Sequence, residues 1–482
     1  MEEQLQSVGK KALDHAVKSG AEEAEIFLYM ENLTSVKFIG GIFASRSKAV
    51  KGLQGTFARI AEPWIKKKGI PIVNSGTKAG VGVRAVINKA VGFSSVSSLD
   101  EDRVLSSVDE AVKIAKIRPP DPNWNSLPEV RTPNEKGGIF DQRVADLSVD
   151  RILEMSANCC IVAGDYDKRI MQAIAMIEAG SMVFGVVNSR GTEVFDKATA
   201  FSAYVATKAK SKGEEVSGGD LMVSRTLAED VTSIALSSSK KAVECFGKKA
   251  LPEKHVGLVV FENMSWYELF SAIFPAGVSG YNVQENRSVF KGKLGQQVAK
   301  ENVSVFDDGT LPGGVGTTKM DDEGVPRQRT SLIEKGVLTN FLYDNYSAKR
   351  ESRESTGNAS RPRTSPTPPY ANLPVVRPSN LVIETGKGSL DVLVAEVKNG
   401  VLIKGGLIGA GHSNVITGDF SASADNAFKI ENGAVAYPLK ACTVAGNLYQ
   451  ALNAVTGIGS DSRSFGNIIV PSVTIDKIVA ST

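Results

Sequence analysis

Hydrophobic and polar positions alternate along the chain in two distinct styles. Residues 3–19 carry Leu5, Val8, Ala12, Leu13 and Ala16 at helical spacing, with Gly20 as a stop signal. "AEIFLYMENLTSVKFIGG" then predicts two strands around a turn at Glu31-Asn32, and "GVGVRAVINKAVGFSSVSS" (Gly80–Ser98) a hairpin turning at Asn88-Lys89. "LDEDRVLSSVDEAVKIAKI" predicts a helix capped by Asp100 or the nearby serines, with acidic residues in its first turn as the helix dipole favours. "RPPDPNWNSLP" breaks the pattern, and residues 147–164 predict another helix. Strands follow on both sides of a turn at Ser189-Arg190-Gly191, and a helix over Thr226–Gly247 closes the first half.

After Leu251-Pro252 helices become fewer. Short glycine-bounded strands dominate, among them "RTSLIEKGVLTNFLYD", "DVLVAEVKNGVLIKGGLIG" and "NIIVPSVTID". The pattern predicts an α+β chain. An N-terminal α/β domain with a mixed sheet and helices spans 1–225, a connecting helix 226–250, and a β-rich, barrel-like domain 251–482. Glu354–Asn380 is a Pro/Ser/Arg-rich loop, long enough to suggest function or disorder. No strict tandem repeat occurs.

Composition narrows the function classes. At 482 residues, two or three domains are expected. Charged residues make up 23% and net charge is +3 with both signs interspersed, which argues against a nucleic-acid binder relying on bulk charge. No apolar run reaches bilayer length, and the charged, amphipathic N-terminus is not a signal peptide. The four cysteines form no CxxC pair, and Cys159-Cys160 sits in a helical pattern as small apolar packing. These features read as a cytoplasmic protein with reduced thiols.

Candidate chemistry is sparse. A catalytic zinc needs about three protein ligands and an open position. The chain has only His15, His255 and His412, no two within a helical turn. Cys442 in "KACTVAGN" needs a base or a positive field to become a nucleophile, and nothing near it in sequence supplies one. No GxSxG elbow or SxxK occurs. "LPGGVGTTK" (Leu311–Lys319) lacks the order of a phosphate loop, and "KKKG" (Lys66–Gly69) reads as a solvated face. One stretch stands out: in "VVFENMSWYELFSAIF" (Val259–Phe274) a β-branched run leads into an amphipathic segment with Glu262 at the junction.

Several long motifs in order resemble the TldD/PmbA family, once called modulators of DNA gyrase. They are "YDNYSAKRESRESTGNASR" (Tyr343–Arg361), "NVITGDFSASADNAFKIENG" (Asn414–Gly433) and "TVAGNLYQALNAVTGIGSD" (Thr443–Asp461), and the N-terminal strand motifs fit the same family. The resemblance implies an α/β N-terminal domain, a β-rich C-terminal domain, and two chains enclosing a chamber in which an unfolded peptide is cleaved. TldD-type chains carry a zinc-binding HExxxH and a further ligand near the C-terminus, typically cysteine. PmbA/TldE-type chains lack these ligands and pair with a TldD-type chain.

Aligned by that resemblance, "FENMSW" takes the place of HExxxH. Glu262 keeps the general-base position, while Phe261 and Trp266 stand where the histidines would be. Ser462 and Ser464, with no cysteine, occupy the region of the C-terminal ligand. The resemblance therefore implies the PmbA/TldE branch, with no metal in this chain and zinc in a TldD-type partner. Arg353, Arg361, Arg363, Arg377 and Tyr370 of the long loop are candidates for lining the peptide chamber, since arginine suits carboxylates including a peptide C-terminus. An ordinary solvated loop is the competing reading, and Gly357-Asn358 is a good turn pair. Two alternatives stay open: an independent or homodimeric hydrolase using distant His and Cys, and a regulator of gyrase or another topoisomerase.

Overall fold

The computed structural model describes residues 2–41, 69–133, 137–362 and 367–482. Its first half is built on a six-stranded antiparallel sheet. The strands are β1 (Glu23–Gly41), β2 (Gly69–Ile87), β3 (Ala90–Val96), β4 (Ile170–Asn188), β5 (Glu193–Ser211) and β6 (Glu214–Ser224), in the order β3-β2-β1-β4-β5-β6. The β2–β3 hairpin turns on Asn88 and Lys89, both at positive φ, the geometry that matches strand twist.

The turn expected at Glu31-Asn32 does not form. β1 runs straight through as a 19-residue strand, and the polar residues there are satisfied across it. Glu31 faces Lys78, the Thr77 hydroxyl donates to Asn32 Oδ1 at 2.6 Å, and the Thr34 and Ser75 hydroxyls meet at 2.9 Å. Such cross-strand pairs stabilise a sheet where side chains face water.

Among the described residues, four long helices pack on one face of this sheet: α1 (Glu2–Lys18), α2 (Glu101–Ile117), α3 (Val149–Tyr166) and α4 (Thr232–Val243). Asp100 caps α2, accepting the Arg103 N–H. The alternation of each strand puts Ile26 and Leu28 against α1 and α2, and Val36, Phe38, Ala175 and Ala203 against α3 and α4. Helix α4 is shorter than the predicted Thr226–Gly247, because Asp230 accepts both the N–H and the hydroxyl of Thr232 and starts the helix there. It packs on β5, β6 and α3.

The second half contains a closed five-stranded barrel of β7 (His255–Phe261), β8 (Asn399–Ile408), β9 (Asp419–Glu431), β10 (Cys442–Asn447) and β11 (Val473–Ser481). β7 runs parallel to β8 and antiparallel to β11, and the β8–β9 pairing closes the ring. Helix α5 (Asn263–Gly277) follows β7 directly and is the centre of the largest apolar core, with Leu269, Phe270, Ile273 and Phe274 fully buried. A second six-stranded sheet includes Val305–Asp308, Arg329–Glu334, Leu381–Ile383 and Ile468–Val470. Within the expected loop Glu354–Asn380, Ala359–Ser360 pairs with Val375–Val376 and Pro369–Ala371 forms a 3-10 turn.

Candidate functional site at the strand-to-helix junction

β7 is paired on both edges, which leaves Val259, Val260 and Phe261 wholly buried. The next residue, Glu262, occupies the cap position of α5 without using its side chain as the cap. Ser472 serves instead: its hydroxyl accepts the Asn263 N–H at 3.1 Å and donates to Asp461 at 2.6 Å. Glu262 is thus free to turn outward. Its Oε2 accepts the Gly405 N–H at 2.7 Å and lies 3.2 Å from the Lys241 ammonium of α4. That second contact is an ion pair without an aligned hydrogen bond.

Lys241 also lies 3.6 Å from Asp220 on β6, and Asp220 accepts from Arg463 at 3.0 Å. Burial alone would raise the Asp220 carboxyl, but the charges of Lys241 and Arg463 outweigh it and hold the group below its usual value. A buried chain of alternating charges, Glu262–Lys241–Asp220–Arg463, therefore ties the helical layer to the barrel.

Phe261 and Trp266 are core residues. Their ring centroids lie 6.1 Å apart, Trp266 continues to Phe270 at 5.7 Å, and Phe270 stacks on Phe274 at 4.5 Å. Neither ring offers a lone pair to a metal. Ser462 and Ser464 are exposed and flank Arg463, whose guanidinium reaches Asp220. His15 pairs with Asp109 at 2.8 Å, His255 contacts the Leu258 carbonyl at 3.1 Å, and His412 is exposed on a 3-10 turn. Cys442 is buried and its thiol is pushed up to about 11, away from thiolate reactivity. Burial likewise pushes Cys159 and Cys160 up to about 12. Among the described residues, no three His, Cys, Asp or Glu side chains are grouped to hold a metal ion. A zinc ion does not fit the donor set at Phe261, Glu262 and Trp266, which offers one carboxylate between two buried aromatic rings.

The loop candidates divide. Arg361 is 0% exposed, pairs with Glu25 at 2.6 Å and lies over the Phe27 ring, so it is an internal tie and no lining for a chamber. Tyr370 is buried too. Its hydroxyl donates to Ser97 at 3.0 Å, and its ring fills the space where a side chain at Gly80 would lie. Arg353 is exposed beside Glu351 at 3.4 Å, and Arg377 is exposed. Arg363 and Lys66–Lys68 lie outside the described residues. Asn358 is buried, donating to Asp307 at 2.7 Å, and Gly357 beside it has φ +71°.

Sequence reasoning missed the ionic cluster that Arg361 joins. Arg84 donates to Glu25 at 2.5 Å and to Glu323 at 2.9 Å, and the Arg361 N–H donates to Asp322 at 2.6 Å. Burial raises Asp321, Glu323 and Asp344, with Asp321 reaching about 8. The signals were present: three consecutive acids before Gly324, and Glu25 inside an apolar run.

A groove of about 370 Å³ opens beside the junction, between the sheet face that carries no helices and α5. Ile174, Tyr204, Leu221, Met264, Leu407 and Glu268 are among its walls.

Comparison with known proteins places this architecture. Models of the PmbA/TldA metallopeptidase domain 1, central domain and C-terminal domain match residues 66–115, 142–246 and 255–482. An uncharacterized protein of Methanocaldococcus jannaschii is 32% identical over 411 residues, covering 84% of this chain and 90% of its own length. A metalloprotease of the same archaeon is 27% identical over 404 residues, covering 82% and 86%. The crystal structure of TldE from Thermococcus kodakarensis superposes with a TM-score of 0.84 at 25% identity, covering 98% of this chain and 100% of that one. The chain belongs to the PmbA/TldD metallopeptidase family.

Proposed function

We propose that this chain is a non-catalytic, TldE-like subunit that pairs with a HExxxH-bearing zinc peptidase and supplies part of the wall of a chamber for unfolded peptides in the cytoplasm. One observation carries the reading. The two positions aligned with the zinc-binding histidines hold Phe261 and Trp266, both sealed in the core, and the retained Glu262 is committed to Lys241 and Gly405. General-base catalysis needs a nucleophile within reach of a free carboxylate, and this carboxylate is already held.

The test is co-purification of the chain with a HExxxH-bearing family member, followed by metal analysis and hydrolysis of an unfolded peptide. The expected result is a heterodimer with zinc held by the partner, active only as the pair. Peptide cleavage by the purified chain alone, lost on changing Cys442 or His412, would establish the independent-hydrolase reading instead. Salt-sensitive DNA binding would favour the topoisomerase reading.

A further inference from the structure

Past the middle of β1 the sheet has one helix-covered face and one bare face. Cross-strand partners put Lys37, Met176, Tyr204 and Leu221 in one row across that bare face. Tyr204 stays 38% exposed, and Ile408 on the facing barrel strand is 66% exposed. Between them lies the groove of about 370 Å³, within the usual range of roughly 300–1,000 Å³ for ligand sites.

Glu268 is the unusual member of this wall. It stands on α5 less than two turns after Glu262, half-buried among Met264, Leu407 and Gly406. Gly406 is close-fitted to it: a Cβ there would lie 3.2 Å from Glu268 Oε1. The carboxylate lies near the Leu407 backbone N–H, which offsets part of the effect of burial, and makes no ion pair among the described residues. Burial raises the Glu268 carboxyl, and burial also raises the Tyr204 and Tyr267 hydroxyls, with the nearby Glu268 charge adding to both. The other charges lining the groove are Lys208, which is exposed, and Asp425, which is half-buried, and Lys208 sits within the field of Glu215. A half-buried carboxylate without a counter-charge is costly, and a cation entering the groove would relieve that cost.

We infer that this groove holds an extended peptide through an ammonium or guanidinium bound at Glu268, with the apolar wall of Ile174, Tyr204, Leu221 and Leu407 receiving the neighbouring side chains. The inference builds on the chamber reading and adds a substrate preference to it. The cation is either the peptide's own N-terminus or a lysine or arginine side chain.

The assay is fluorescence anisotropy of the full chain with the octapeptide Ala-Val-Lys-Val-Ala-Val-Thr-Gly, labelled with fluorescein at its C-terminus. Two further versions are N-acetylated, one keeping lysine and one carrying norleucine in its place. The acetylated norleucine peptide is expected to bind about tenfold or more weakly than the parent, as a charge-assisted hydrogen bond in a partly buried site provides. Loss on acetylation alone identifies the N-terminus as the bound cation, and loss only with norleucine identifies the side chain. Glu268→Gln is expected to erase the difference between the peptides. Gly406→Ala, which crowds the carboxylate without altering it, is expected to reduce the difference. Wild-type protein that binds all three peptides equally, or none of them, overturns the inference, and so does Glu268→Gln protein with wild-type discrimination. No zinc-bearing partner is present in this assay, so these outcomes are separate from the success or failure of the heterodimer.

Discussion

Lys241→Met removes the central cation of the Glu262–Lys241–Asp220–Arg463 chain and leaves the aliphatic stem in place. Lys241 is 5% exposed, and the Asp220 and Glu262 side chains are 3% and 14% exposed, so water replaces little of the lost attraction. Removing one partner of a buried pair costs about 3–5 kcal/mol. Asp220 keeps Arg463 at 3.0 Å, which moves the expectation to the low end, about 3 kcal/mol. Urea unfolding at pH 7 measures it. In a Glu262→Gln background the same substitution should cost less, with a coupling of about 1 kcal/mol or more. The pH dependence is a second check. Asp220 sits below its ordinary 3.8 in the folded state, so its contribution is present above that value and is lost as pH falls through the lower folded value. The gap between wild type and variant should therefore narrow below pH 3.8. A gap under about 0.5 kcal/mol at pH 7, or one unchanged down to pH 3, would refute the claim that these charges join the two halves.

Other outcomes follow from the same geometry. Glu262→Gln should spare peptide hydrolysis by the reconstituted pair, where loss of a true general base costs about 10²–10⁴-fold; steady-state rates decide. Changing Phe261 and Trp266 together to histidine should give a chain that melts early and takes up no stoichiometric zinc in a chelator competition, because both positions are sealed in the apolar core, where even truncation of an aromatic side chain costs about 3–5 kcal/mol. Gly92→Ala should lower the melting temperature sharply, since its Cβ would lie 2.0 Å from the Ala111 carbonyl that seats α2 on the sheet. Burial lifts Asp321 to about 8, so the folded state holds a proton that the unfolded chain releases near 3.8, and stability should decline as pH rises between those values; urea midpoints across that range test the sign.

The elements that were legible in the chain are those whose own residues carry the signal. Asn88-Lys89 marks the hairpin, Asp100 the helix start and the β-branched run before Glu262 the buried strand. β1 was misread because Glu31 and Asn32 look like a turn in isolation, and their partners Lys78 and Thr77 lie far along the chain. The aromatic replacement at Phe261 and Trp266 was readable only through family likeness, and the structure adds that both rings are packed. Arg361 could not be placed from its proline-rich surroundings, because its burial depends on Glu25, which is 336 residues away. Lys241 and Glu268 carried no local mark either. One reads as a basic residue on an exposed helix, the other as a routine acidic one, until the sheet and barrel are brought together.

The barrel's arrangement also sets a timetable for synthesis. β7 emerges from the ribosome first, yet both of its neighbours, β8 and β11, come from much later in the chain. At ~5–20 residues per second, that apolar strand waits roughly tens of seconds with both edges unpaired. Ring closure is accordingly a late event, and it cannot be completed until residues 473–481 arrive.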